Sequence, residues 1–338
     1  MRFGVLFLLA LVLPHSALAQ EERFFAGKQI TLLVGFGAGG GYDLYGRTLI
    51  AHMGRHIPGN PSMVASNLPG AGGLELMNNL ANLAPRDGTV IATFASGMPT
   101  APFFNPEQAR FDPTRLGWIG AMNTEEFIDI AWHTAPVQSL ADLKARELIL
   151  AGAAPGDATV DLPRLVDGVL GLHYRIVLGY KAMNEMELAM ERGEAEGISG
   201  TTWTSLRARH ADWIERHLVT VIAQYGAKPH PELPKVPLMI SLAKSEAERE
   251  ALDLLFARQE MGRPFAAPPG LPAARLATLR RAFDATLADP LFLADAAKRQ
   301  FELDPKRGEE VETLVARIAA TPPAVVARVK AILSQPGK

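Results

Sequence analysis

Residues 30–47 read ITLLVGFGAGGGYDLYGR: an apolar run from Ile30 to Val34, a glycine-rich loop, then a segment with helical spacing. Strand, glycine turn and helix start form one unit of a parallel α/β fold. Gly35, Gly37 and Gly40 fit the G-x-G-x-x-G pattern of a dinucleotide-binding turn. Three readings are open: a cofactor turn, another anion cradle, or a tight structural turn. The glycines let backbone approach a ligand closely, and a helix start offers unpaired N–H groups with partial positive charge. The dinucleotide version also needs an acidic residue roughly 20 positions on for the ribose hydroxyls. No Asp or Glu lies between Leu44 and Leu74; Arg47 and Arg55 lie there instead. The cofactor reading therefore recedes, and no cofactor is expected.

Outward from this stretch the same grammar repeats. Strands are predicted at Ser62–Ser66, Thr89–Phe94, Trp118–Met122, Ile128–Trp132, Leu148–Ala151, Tyr174–Leu178, Ala195–Ser199 and Leu218–Ala223. Helices are predicted at Tyr42–His56, Glu75–Leu83, Ser139–Lys144, Thr159–Leu170 and Asn184–Arg192. The Pro-rich KPHPELPKVP (228–237) then connects to a helix at Glu246–Arg258 and a strand at Arg263–Ala267. Mostly helical sequence follows, from Pro272 onward, with Pro272 suited to a first helical turn.

The first residues point to export. Met1-Arg2 is positive, Phe3 to Leu13 is apolar, and Ala17-Leu18-Ala19 has the small-x-small form of a signal cleavage site. A membrane-spanning helix needs about 20 apolar residues, more than this run supplies. Residues 1–19 are read as a cleaved signal peptide, which places the mature chain in the periplasm. The chain has no cysteine, so disulfides, thiol nucleophiles, thiolate metal sites and lipid attachment at cysteine are all excluded. The formal net charge is −2, and it becomes −3 once Arg2 is removed. That balance gives no footing for nucleic acid.

Further matches specify the family. QITLLVGFGAGGGYDLYGRTLIAHM (29–53) resembles the opening of the tripartite tricarboxylate transporter substrate-binding proteins, the Bug-type periplasmic receptors. Their first strand runs into a P-F-x-x-G-G-x-x-D loop and a helix with an Arg. Phe36, Gly39, Gly40, Asp43 and Arg47 match, while Gly35 replaces the usual Pro. NLPGAGGLELMNNLANLAPRDGTVIATF (67–94), Gly179-Tyr180-Lys181 and PFAAPPGLPAARLATLRRAFDATLADP (264–290) resemble later family segments in the same order.

The resemblance implies an α/β fold: a two-lobed periplasmic-binding-protein clamp, type II-like, each lobe a mixed, mostly parallel sheet flanked by helices. Residues 20–126 with 227–338 would form lobe one, and 127–226 lobe two. It implies a non-enzymatic, monomeric receptor that captures a small carboxylate and delivers it to inner-membrane permease subunits. Carried over by position, the lobe-one grip is Phe36, Gly37, Ala38, Gly39 and Gly40 with Asp43, and the third-strand loop Ser96-Gly97-Met98. The lobe-two grip is Ala153, Ala154, Gly156 and Asp157 with Thr159, and Tyr180, Thr201 and Thr202 line the side. The lobe-two loop departs from the family's S-G-x-G-T wording. Asp157 adds a negative charge there, or else caps the helix that follows. If it faces the cleft, the ligand should have one carboxylate at the Gly39-Gly40 end and a neutral or donating far end. Met98 and Trp203 would flank the ligand's body.

Other constellations point elsewhere. His52 and His56 stand four apart on a helix, a metal-binding spacing, but a solvated face suits them better without a third ligand. Glu185, Glu187, Glu191, Glu194 and Glu196 likewise read as a solvated face. Gly197-Ile198-Ser199-Gly200 nearly gives the nucleophile frame G-x-S-x-G. A secreted serine hydrolase using Ser96 or Ser199 is therefore the rival reading. A sensory receptor that presents ligand to a membrane kinase is the other.

Overall fold

The computed structural model describes residues 24–70, 73–153, 157–180, 182–226 and 228–335. The expected signal peptide, and Ala154, Pro155 and Gly156 of the lobe-two loop, lie outside the described residues.

Two mixed sheets organise the chain. The strands are β1 (Gln29–Val34), β2 (Ser62–Asn67), β3 (Val90–Thr93), β4 (Gly117–Ala121), β5 (Phe127–Trp132), β6 (Leu148–Gly152), β7 (Tyr174–Leu178), β8 (Gly197–Thr202), β9 (Val219–Gln224), β10 (Pro264–Ala267) and β11 (Lys306–Arg307). The first sheet runs β11-β4-β10-β3-β1-β2 and the second β7-β6-β8-β5-β9. Strands β2, β1 and β3 are parallel, as are β7, β6 and β8. The antiparallel pairs all involve β5, β10 or β11, of which β5 and β10 follow a crossing between the sheets. Antiparallel pairing therefore has a larger share than the strand–helix alternation implies.

The helices are α1 (Gly41–Met53), α2 (Leu74–Asn82), α3 (Ala101–Phe104), α4 (Leu140–Ala145), α5 (Ala158–Leu170), α6 (Met183–Glu191), α7 (Trp203–Arg209), α8 (Ala211–Glu215), α9 (Glu246–Phe256), α10 (Ala273–Leu287), α11 (Pro290–Lys298), α12 (Gly308–Ala319) and α13 (Pro323–Leu333). Alternation drives β1: Ile30, Leu32 and Val34 are buried while Gln29 is exposed. Tyr45, Leu49 and Met53 of α1 join them in one apolar cluster. Gly46 lets α1 approach the sheet, since a Cβ there would lie 2.8 Å from Leu32 Cδ2. Ser139 caps α4 by accepting the Asp142 N–H, and Gly171 ends α5 at φ 67°. Strand β8 runs three residues past the predicted Ser199, and α7 and α8 have no counterpart in the sequence reading.

The chain crosses from the first sheet to the second at residues 122–126 and returns at 257–263. The two crossings run side by side. The Met122 N–H donates to the Arg263 carbonyl (3.0 Å), Gly262 N–H to Asn123 O (2.8 Å) and Glu125 N–H to Gln259 O (2.8 Å). After β9 the chain stays with the second sheet: Leu233 packs beside Ile128 and Trp203, and α9 lies on α5. Helix α13 also packs on α5. The segment that the sequence reading assigns to lobe one therefore touches both sheets. One apolar cluster runs from Phe94 and Trp118 through Val311 and Leu255 to Leu162 and Leu165.

Candidate functional site

The parallel register sets the site. Val34 pairs with Thr93, so the loops after β1 and β3 leave the first sheet side by side. In the second sheet Gly152 pairs with Leu178, which brings the loops after β6 and β7 together.

The glycine loop is held from beneath. Asp43, 2 % exposed, accepts the Gly39 N–H (2.8 Å), Asn67 Nδ2 (2.8 Å) and Arg47 Nε (2.9 Å to each carboxylate oxygen). Asn67 also donates to the Phe36 carbonyl (2.9 Å) and accepts from Arg47 Nη2 (2.9 Å). Burial pushes the Asp43 carboxyl up, but the hydrogen bonds from Arg47, Gly39 and Asn67 outweigh it and hold the pKa at about 2. Asp43 is thus an ionised strut. Gly37, Ala38, Gly39 and Gly40 are exposed, and among the described residues the N–H groups of Gly37, Ala38 and Gly40 have no protein acceptor. Phe36 stacks on Tyr42 at 4.5 Å between ring centroids.

Behind the loop lies a charged cluster that the sequence reading did not single out. The Arg263 guanidinium sits 4.4 Å from the Tyr42 ring centroid and pairs with the buried Glu125. Glu125 also accepts from Ser96 Oγ (3.3 Å), and the Ser96 N–H donates to Tyr42 Oη (3.2 Å). The only sequence signal was Arg263 itself, a cation opening an otherwise apolar strand.

In the second sheet Asp157 caps α5: its Oδ1 accepts the Thr159 N–H (2.9 Å) and hydroxyl (2.6 Å). Thr159 is buried, and its Oγ1 accepts the Ala153 N–H (3.1 Å). Thr201 is buried in β8, and Thr202 caps α7 through the Ser205 N–H (3.2 Å). Tyr180 is half-buried beside Met183 and Trp203; burial and the nearby Glu194 raise its pKa.

Arg258, at the return crossing, is 9 % exposed. Its Nη1 lies against Gly97, 3.1 Å from where a Cβ would stand. Among the described residues no hydrogen bond or ion pair reaches its guanidinium. Burial pulls its pKa down, opposed by attraction from Asp161, Asp157 and Tyr42.

Three cavities border these groups. One of about 200 Å³ lies between the sheets, lined by Gly41, Tyr45, Glu125, Thr202 and Arg263 among others. A groove of about 580 Å³ adjoins it along Trp203, Arg207, Phe301 and Glu302. The third, about 300 Å³, is bordered by Gly97, Met98, Asp161 and Lys330. Met98 and Trp203 line different cavities. The Trp203 indole N–H is bound to Glu232 (2.7 Å).

The other constellations are structural. His52 faces Asp295 (3.3 Å) and His56 faces Asp289 (2.8 Å), so they tie α1 and the turn after it to α11 and its cap rather than forming a solvated face. Glu187 is buried against Arg209 and His210, and Glu196 accepts the Ile149 N–H (3.0 Å). Ser199 is fully buried beside Tyr225 (3.1 Å), and neither Ser96 nor Ser199 bonds a histidine among the described residues.

No family model and no curated protein matches the chain. Solved structures do. A TctC solute-binding protein from Polaromonas superposes with a TM-score of 0.68 at 18 % identity, covering 89 % of this chain and 98 % of its own. An adipate-bound protein of R. palustris gives 0.64 at 19 %, covering 89 % and 97 %. The periplasmic binding protein BugD gives 0.63 at 21 %, covering 90 % and 97 %. The chain has the fold of the TctC and Bug-type solute-binding proteins, two mixed sheets flanked by helices.

Proposed function

We propose that the chain is a non-enzymatic periplasmic receptor that holds a small carboxylate between two lobes and hands it to a membrane permease. The observation that carries this reading is the glycine loop: exposed, donor-rich backbone at the start of α1, fixed in shape by the buried Asp43. Such a loop suits an anion and supplies no group that would attack one. The adipate in the R. palustris neighbour supports a carboxylate as the solute class. The lobes are built on the two sheets, and the paired crossings at 122–126 and 257–263 form their hinge.

Thermal-shift screening of the purified protein against a carboxylate library tests the reading, because a ligand at 100 times its Kd adds about 2.7 kcal/mol. The hit should bind one per chain in calorimetry, be recovered chemically unchanged, and reduce the radius of gyration in solution scattering. Turnover of the hit, or no stabilisation by any carboxylate, would overturn it.

A further inference from the structure

Arg258 sits where a charge is hard to keep. Its side chain is nine-tenths buried, and among the described residues it has neither a hydrogen bond nor an ion pair. A buried charge without a partner costs several kcal/mol, and the usual remedy is a salt bridge inside the fold. The neighbouring Arg263 has that remedy in Glu125. Asp157 and Asp161 attract Arg258 without bonding it. Asp157 spends one oxygen on Thr159 as the cap of α5.

The place of Arg258 is equally specific. It lies on the return crossing, against Gly97 of the loop after β3, and within electrostatic reach of Tyr42 and of the first turn of α5. Gly97 and Asp161, the neighbours of Arg258, border a cavity of about 300 Å³, and Arg258 itself lies behind its lining. Lys330 borders it too but is exposed, so water already stabilises its charge. Gly97 is small for a reason: a methyl group there would press on Nη1 at 3.1 Å.

We propose that Arg258 is the ligand's counter-charge: a carboxylate of the solute docks on its guanidinium, between Gly97 and the acidic first turn of α5. This rests on the carboxylate-receptor reading and adds to it a side-chain anchor distinct from the backbone donors of the glycine loop. A guanidinium matches a carboxylate with two parallel N–H···O bonds, so it also orients the ligand. Ligand binding then supplies the partner that the fold withholds.

The test uses the mature protein and three probes, the sodium salts of succinate, malate and adipate, followed by calorimetry and thermal shift. Arg258→Met keeps much of the side chain's bulk and removes the charge. Its affinity for the probe that wild type binds best should fall at least about 30-fold, the effect of truncating one partner of a buried charge pair. Its melting temperature without ligand should stay equal or rise, since an unpaired charge has gone. Gly97→Ala keeps the charge but shifts the guanidinium, and should also weaken binding. Arg258→Lys, without the bidentate fork, should fall between wild type and Arg258→Met. Undiminished affinity in Arg258→Met would overturn the anchor and leave the receptor reading standing. A lower ligand-free melting temperature would make Arg258 a structural partner of α5 and overturn the anchor as well. Wild type that binds no carboxylate would remove both.

Discussion

The Gly39 N–H donates to Asp43 Oδ2 at 2.8 Å, so the acid of the glycine-loop motif points into the loop and braces it. Asp43→Ala removes the acceptor for Gly39, Asn67 and Arg47 together. Hydrogen bonds to a charged group contribute about 1.5–3 kcal/mol, so the loss should be roughly 2–3 kcal/mol of stability with weaker carboxylate binding. Asp43→Asn should cost less, because one acceptor oxygen remains. The folded-state pKa lies below the ordinary aspartate value of 3.8, at about 2. This stabilisation is therefore complete above the unfolded value and is lost as pH falls toward 2. Urea unfolding of both variants checks it; an unchanged midpoint in Asp43→Ala would contradict the bracing role.

A second carboxylate behaves the opposite way. Asp129 is fully buried in the second sheet and accepts from Tyr174 Oη (2.6 Å) and Tyr225 Oη (2.9 Å). Burial raises its pKa to about 6, against the pull of the hydrogen bonds from Ser199, Tyr174 and Tyr225. Between 3.8 and 6 the folded state holds more protons than the unfolded one, so stability falls as pH rises through that window and levels off above it. The span is about 3 kcal/mol at 1.36 kcal/mol per pH unit. Asp129→Asn should flatten this part of the stability–pH curve. A curve with the same slope in the variant would show that another group is responsible.

These two acids also mark how far the sequence could be read. Asp43 stands in a motif, G-G-x-x-D, whose short spacing makes its contact local. Asp129 lies in the apolar run FIDIAW, and its partners come from residues 45 and 96 positions away. Local periodicity carries no information about such pairings. The same holds for Glu125 and Arg263, joined across 138 residues by the adjacent crossings. Strands β1 to β10 were legible, β8 only in its first half, because alternation and glycine turns are local. Helices α7 and α8 were not: they are short, and α7 starts directly at the end of β8, where Thr202 caps it. Arg258 closes a predicted helix, where a cation is ordinary; only its burial makes it unusual.

Gly40→Pro separates the donor from the shape of the loop. Gly40 has φ −75°, close to the value of about −65° that a proline ring imposes. The substitution therefore removes one exposed N–H with little backbone strain. Affinity for the carboxylate found by screening should drop by about 1.5–3 kcal/mol. Circular dichroism should show α1 intact. Equal affinity with an intact fold would mean that the loop does not grip the ligand.

The last prediction follows from having two anion-seeking features rather than one. The glycine loop offers backbone N–H groups at the start of α1, and Arg258 offers a guanidinium beside Gly97. From the sequence, Asp157 argued for a ligand with a neutral far end, because a second carboxylate would face an uncompensated negative charge. The structure changes that balance. Asp157 is engaged with Thr159 as a helix cap, and an unbonded arginine lies within its electrostatic reach. A second carboxylate then meets a cation, and pairing it relieves the burial cost of Arg258. A dicarboxylate should therefore bind at least about tenfold more tightly than its monoamide, which is close to it in shape but carries one charge less. In Arg258→Met the two ligands should bind about equally, since the group that reads the second charge is gone. Calorimetric titration of adipate and adipic monoamide against both proteins gives the four affinities. A monoamide that binds wild type as tightly as the diacid would sink the two-anion reading. A preference for the diacid that persists undiminished in Arg258→Met would assign the second charge to a different group.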